Sequence, residues 1–90
     1  MNKAELIDAI AESTGRPKAA VNEILDDFQR VIKEEVAKGG DVTLLGFGRF
    51  DSKTRMARTY RNPLNGVSVD VPTKRVPFFK PGSAFKAVLL

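Results

Sequence analysis

Between Gly46 and Pro81 the chain reads GFGRFDSKTRMARTYRNPLNGVSVDVPTKRVPFFKP, and no other stretch limits the fold as strongly. An outgoing run carries Lys53, Arg55, Arg58 and Arg61, and the segment Arg61-Asn62-Pro63-Leu64-Asn65-Gly66 has the composition of a turn. The return run alternates Val67, Val69 and Val71 and then adds Lys74 and Arg75. Two extended runs around an Asn/Pro/Gly cluster predict a hairpin. A hairpin this basic, with proline at its tip, has little to contribute to a core. It reads as an arm reaching a polyanion, with the rest of the chain as its base.

Ninety residues make one small domain, 1–90. A chain of that length buries only about 60–65% of its unfolded surface, so its stability is marginal without a staple or a partner. With neither cysteine nor histidine there are no disulfides and no zinc sites of the usual ligand types, and no cofactor or metal is expected. Oligomerisation remains as the stabiliser. The lack of cysteine fits a reducing cytoplasm. No apolar run approaches the ~18 residues of a membrane span, and Met1-Asn2-Lys3-Ala4-Glu5 is no signal peptide. Charge is segregated: residues 1–45 hold six basic and nine acidic side chains, residues 46–90 nine basic and two acidic. One surface therefore attracts polyanions and the other does not.

Along the chain, Asn2 caps a helix beginning at Lys3, with Glu5 at the third position as in a capping box. Leu6, Ile7, Ile10 and Ala11 form its apolar face, and Gly15 suits the left-handed residue that closes it. Pro17 fits the first turn of a second helix reaching about Lys38, where Gly39-Gly40 stops it. Val21, Ile24, Leu25, Phe28, Val31, Ile32 and Val36 make a continuous stripe. A DNA-reading helix-turn-helix is disfavoured, because Glu23, Asp26, Asp27, Glu34 and Glu35 would be repelled by phosphate.

Asp41–Leu45 reads as a short strand, and Gly46 and Gly48 permit a tight turn or close backbone approach. Phe47 and Phe50 either pack locally or cross into a second copy of the chain; with so little core per monomer, the second reading is favoured. A free two-stranded ribbon is marginal, so the arm is expected to be mobile until bound. Lys53 and Arg55 share a phase that Arg58 breaks and Arg61 restores, which points to a bulge or strong twist. Pro72 and Pro77 argue for edge positions. Ser83 caps a final short helix from Ala84 to about Leu90; Lys80 and Lys86 extend the basic surface, and Phe79, Phe85 and Val88 pack.

Other functions fit less well. Asp26-Asp27 and Glu34-Glu35 are adjacent on a helix and diverge rather than converge on a substrate, and no phosphate-binding glycine loop has the usual spacing, so an enzyme is disfavoured, and no small-molecule substrate is expected. The helices lack a basic polar face, which disfavours a membrane surface. An acidic protein partner for the arm is the competing binding mode.

Gly46-Phe47-Gly48-Arg49-Phe50, the spaced Arg55 and Arg58, Arg61-Asn62-Pro63 followed by Asn65-Gly66, and Phe79-Lys80-Pro81-Gly82 together resemble the HU and integration host factor family, nearer to HU. The start, Met1 to Ile7, is also similar, and the resemblance spans the whole chain. It implies an α+β fold: an intertwined dimer with a helical body and first strand (1–45), a β-sheet saddle with a long two-stranded arm (46–81) and a short C-terminal helix (82–90). The implied partners are double-stranded DNA and a second copy or a paralogue; the implied place is the cytoplasmic nucleoid.

The implied DNA-facing residues are Lys3, Gly46, Gly48, Lys53, Arg55, Arg58, Arg61, Asn62, Pro63, Asn65, Lys74, Arg75, Lys80, Ser83 and Lys86. Pro63 is the implied wedge between base pairs, the mode for which this family is the standing example. Phe28, Leu44, Phe47, Phe50 and Phe79 are the implied dimer contacts. A site-preferring relative of the integration host factor type is the alternative. Two departures stand out: Tyr60 occupies a position where the family usually has glycine, and Ser83 one where it usually has lysine.

Overall fold

The computed structural model describes all residues, 1–90, and contains three helices and five strands. Helix α1 (Lys3–Thr14) begins where Asn2, in extended conformation, accepts the Glu5 amide on its side chain at 2.9 Å. It ends at Gly15, whose φ of 72° lets its amide return to the Ala11 carbonyl. Helix α2 (Lys18–Ala37) starts one residue later than the proline suggests. The Val21 amide donates to the Pro17 carbonyl at 3.1 Å, so Pro17 precedes the first turn rather than lying in it.

The end of α2 follows from Gly39 and Gly40. Their amides donate back to the carbonyls of Val36 and Glu35 at 3.0 and 3.1 Å, and Gly39 takes φ 92°. This doubly bonded closure needs a left-handed residue, which glycine adopts without steric cost.

The chain divides into two compact units, Met1–Glu34 and Glu35–Leu90. In the first, α1 and the start of α2 bury little beyond Ala11 and Val21, which are 9% and 5% exposed. Ion pairs Lys3–Asp26 and Lys18–Asp8 tie the two helices together at the surface.

The second unit holds β1 (Val42–Leu44), β2 (Gly48–Arg55), β3 (Arg58–Arg61), β4 (Ser68–Val71), β5 (Lys74–Pro81) and α3 (Ser83–Ala87). An antiparallel sheet runs in the order β1-β2-β5, and β3-β4 forms a separate ribbon. Of the two readings offered for the broken phase, a bulge or a strong twist, the bulge is absent. Arg55 pairs with Lys74 and Arg58 with Val71, so the register passes through without an inserted residue. Instead both strands break for two residues, at Met56-Ala57 and Pro72-Thr73. Pro72 has no amide to donate, and the Ala57 amide is taken by the Thr73 hydroxyl at 2.9 Å.

The last helix also differs from expectation. Gly82, not Ser83, is its N-cap, and the helix ends at Ala87 rather than Leu90. The Gly82 amide is held by the Phe47 carbonyl at 2.9 Å, which keeps Gly82 extended and makes Ser83 the first helical residue.

Phe47, Phe50, Phe79 and Phe85 form one aromatic cluster, with ring centroids 4.8 Å apart for Phe50 and Phe79 and 5.2 Å for Phe47 and Phe85. Local packing of Phe47 and Phe50 is therefore real. It is also incomplete: Phe47 remains 41% and Phe79 36% exposed.

Candidate nucleic-acid interface

Strand alternation sorts the saddle into two faces. On one lie Arg49, Asp51, Lys53 and Arg55 of β2, opposite Lys80, Phe78, Val76 and Lys74 of β5. On the other lie Phe50, Ser52 and Thr54, opposite Phe79, Pro77 and Arg75. Four of the expected basic residues, Lys53, Arg55, Lys74 and Lys80, thus share a face, which also carries Arg49. Arg49 lies in the Gly46–Phe50 motif but is not among the DNA-facing residues the resemblance implies; the strand register is what places it on this face.

The acid on this face is occupied. Asp51 pairs with Arg49 at 2.8 Å, and Arg49 also reaches Asp41 at 3.3 Å. Lys53 lies 5.5 Å from the Phe78 ring centroid, a cation over an aromatic face. By contrast Lys53, Arg55, Arg58, Arg61, Lys74, Lys80 and Lys86 form no ion pair with a carboxylate. Their charge is open to an external anion.

Arg75 belongs to the opposite face, and its guanidinium is engaged. It donates to the carbonyls of Val36 and Ala37 at 2.8 and 3.4 Å and to the Ser52 hydroxyl at 2.8 Å. These carbonyls lie at the negative end of α2, which has no basic residue of its own in its last turn. Register and hydrogen bonds give Arg75 a structural occupation on the face away from Lys53 and Arg55.

In the ribbon, Arg58 and Tyr60 share a face with Val69 and Val71, while Thr59 and Arg61 share the other with Ser68 and Asp70. Asp70 accepts the Thr59 hydroxyl at 2.9 Å. The tip is closed by its own asparagines. Asn62 accepts the Leu64 amide on its side chain and the Gly66 amide on its carbonyl, at 2.9 and 2.8 Å, and Asn65 accepts the Val67 amide at 2.9 Å. Gly66 takes φ 70° to complete the turn. Asn62 and Asn65 thereby shape the turn, and Pro63 and Leu64 stand out at the apex, Leu64 93% exposed.

The remaining expected residues are dispersed. Gly46 sits in the β1–β2 turn at φ 84°. Gly48 is buried: a Cβ there would overlap the Phe79 ring and stand 2.7 Å from the Lys80 carbonyl. Its bare backbone is needed for packing. Lys3 is paired with Asp26, an exposed ion pair of the kind that is easily exchanged. Ser83 and Lys86 lie on α3, with Lys86 in its last turn. Of the expected dimer residues, Phe47, Phe50 and Phe79 share one cluster, Leu44 is half-buried in β1, and Phe28 lies on α2 and is 41% exposed. No helix is long and apolar enough to cross a membrane.

Comparison with known proteins converges on one family. The family model described as bacterial DNA-binding protein matches residues 1–89. DNA-binding protein HU of Geobacillus stearothermophilus is 44% identical over 86 residues, covering 96% of each chain, and that of Staphylococcus aureus is 42% identical over the same coverage. Among solved structures, an Anabaena HU–DNA cocrystal structure superposes with a TM-score of 0.91 at 40% identity, covering 99% of this chain and 97% of that one. The V42I mutant of HU from Thermotoga maritima superposes at 0.75 with 34% identity over the whole of both chains. The three-helix α+β architecture, the saddle and the arm are shared along the full length, and the chain belongs to the bacterial DNA-binding protein family typified by HU.

Proposed function

We propose that the chain is an architectural DNA-binding protein. It acts as a homodimer, grips double-stranded DNA with little sequence choice and bends it by laying its arms in the minor groove, contributing to compaction of the cytoplasmic nucleoid. Its role is mechanical and involves no chemistry on the DNA. The whole of residues 1–90 serves this one task.

The observation that carries the reading is the arm tip. Pro63 and Leu64 are exposed apolar side chains at the end of a ribbon whose Leu64, Gly66 and Val67 amides are held by Asn62 and Asn65. Such a tip can part a base step with an apolar ring that brings no amide donor of its own. Behind it, unpaired cations line the arm and one saddle face. Arginine suits that position, since its guanidinium seeks the negative potential of a narrow minor groove. Lysines on the body add affinity through phosphates without reading sequence.

The packing supports a second copy. Ile24 is 67%, Val31 48%, Phe28 41% and Phe47 41% exposed, while only Ala11 and Val21 are buried hydrophobics. A ninety-residue chain with so small a core is marginal in isolation, and covering these side chains in a dimer offsets that. Phe28, Leu44, Phe47, Phe50 and Phe79 are the side chains we assign to the dimer contact.

Energy transfer across an end-labelled duplex tests the bending. The Pro63→Ala protein is expected to lower the bend angle on intact duplex while retaining most of its affinity for nicked DNA, where the step is already unstacked. An unchanged bend angle removes the wedge from the mechanism.

A further inference from the structure

Tyr60 is the single tyrosine of the chain, and there is no tryptophan. It lies in the exposed ribbon, 47% accessible, opposite Val69. Two residues before it on the same face, the Arg58 guanidinium sits 5.8 Å from the Tyr60 ring centroid. That is within the range at which a cation and an aromatic face attract. The opposite face carries the Asp70 carboxylate, which a phosphate backbone repels, and Asp70 is held there by Thr59.

We propose that Tyr60 is a positioning residue for Arg58 in DNA binding. The ring supports the guanidinium and holds it over the ribbon face formed with Val69 and Val71, a face that carries no carboxylate, ready to meet the duplex. The inference rests on the DNA-binding reading above. The physical basis is pre-organisation. A free arginine side chain loses rotamer freedom when it docks; a ring beneath it restricts that freedom beforehand. The ring adds no charge, so its contribution is independent of counterion release.

Duplex affinity of the full-length protein, followed by anisotropy of a labelled duplex, tests the coupling. Tyr60→Ala is expected to weaken binding about two- to fivefold, the size of an exposed cation–π contact, with no change in the salt slope. Arg58→Ala is expected to weaken binding and to lower the slope by about one. In the Arg58→Ala background the loss from Tyr60→Ala disappears. Tyr60→Phe keeps the wild-type affinity and Tyr60→Leu does not.

The same pair is read without DNA. With 3-fluorotyrosine incorporated, the one 19F resonance is expected to move when Arg58 is replaced by alanine. Equal losses from Tyr60→Ala in both backgrounds, or full rescue by leucine, or a 19F signal indifferent to Arg58, would each overturn the assignment. Failure of the wild-type chain to bind any duplex would be a different result, overturning the DNA-binding reading itself.

Discussion

The Arg75 guanidinium donates to the Val36 carbonyl at 2.8 Å and so joins strand β5, at the root of the arm, to the C-terminal end of helix α2. The Val36 carbonyl also accepts the Gly39 amide at 3.0 Å, so the positive charge reinforces a helix end already closed by glycine. A second guanidinium nitrogen reaches Ala37 at 3.4 Å, and Ser52 shares the first at 2.8 Å. The arm is therefore rooted by a cation that lies on the opposite sheet face from Lys53, Arg55, Lys74 and Lys80.

Arg75→Ala is expected to lower stability by about 1–2 kcal/mol, the scale of charge-assisted bonds at a partly exposed site, measured by urea or thermal unfolding. The log–log salt slope for duplex binding should stay unchanged. A slope lower by about one, with stability intact, would identify Arg75 as a phosphate contact instead.

Gly48→Ala is expected to destabilise the protein by about 1–3 kcal/mol through overpacking. The added carbon meets the Phe79 ring and stands 2.7 Å from the Lys80 carbonyl, and backbone cannot move aside as a flexible side chain can. Gly46→Ala meets open space, and its cost is the left-handed backbone, φ 84°, at about 1–2 kcal/mol. Circular dichroism melts of the two variants measure both.

Affinity for duplex DNA is expected to fall steeply and log-linearly with salt, because Lys53, Arg55, Arg58, Arg61, Lys74 and Lys80 carry no internal counter-charge. Arg55→Ala should weaken binding to all sequences alike and lower the slope by about one. Titration of a labelled duplex across salt concentrations is the measurement; a flat response is incompatible with phosphate neutralisation.

The unfolding midpoint is expected to rise with protein concentration, as mass action requires when folding and association are linked. Phe47→Ala should lower it at every concentration, through a loss of about 3–5 kcal/mol of stability if the ring is fully covered in the dimer. Scans over a hundredfold concentration range, paired with sedimentation, would register a concentration-independent midpoint if the monomer stood alone.

Much of the fold is written in local chemistry. Asn2 and Gly15 bound α1 because capping is a matter of a few adjacent backbone groups, and both boundaries appear where those residues stand. Gly39 and Gly40 end α2 for the same reason. The hairpin around Arg61–Gly66 follows from turn residues lying between two extended runs, and the basic character of the arm follows from composition alone. What adjacency does not encode is which strand face a side chain joins and which distant group it meets.

Those points were settled by register and packing. Pairing of Thr54 with Arg75 sends Arg75 away from Lys53 and Arg55, toward a helix end 39 positions earlier in the chain. The unbroken register through Met56-Ala57 and Pro72-Thr73 replaces a bulge with a matched break. Gly82 displaces Ser83 as the cap because the Phe47 carbonyl claims its amide from across a turn. Short-range signals act through neighbouring atoms and survive in the linear order of residues, whereas a hydrogen bond between remote segments exists only once the chain has brought them together.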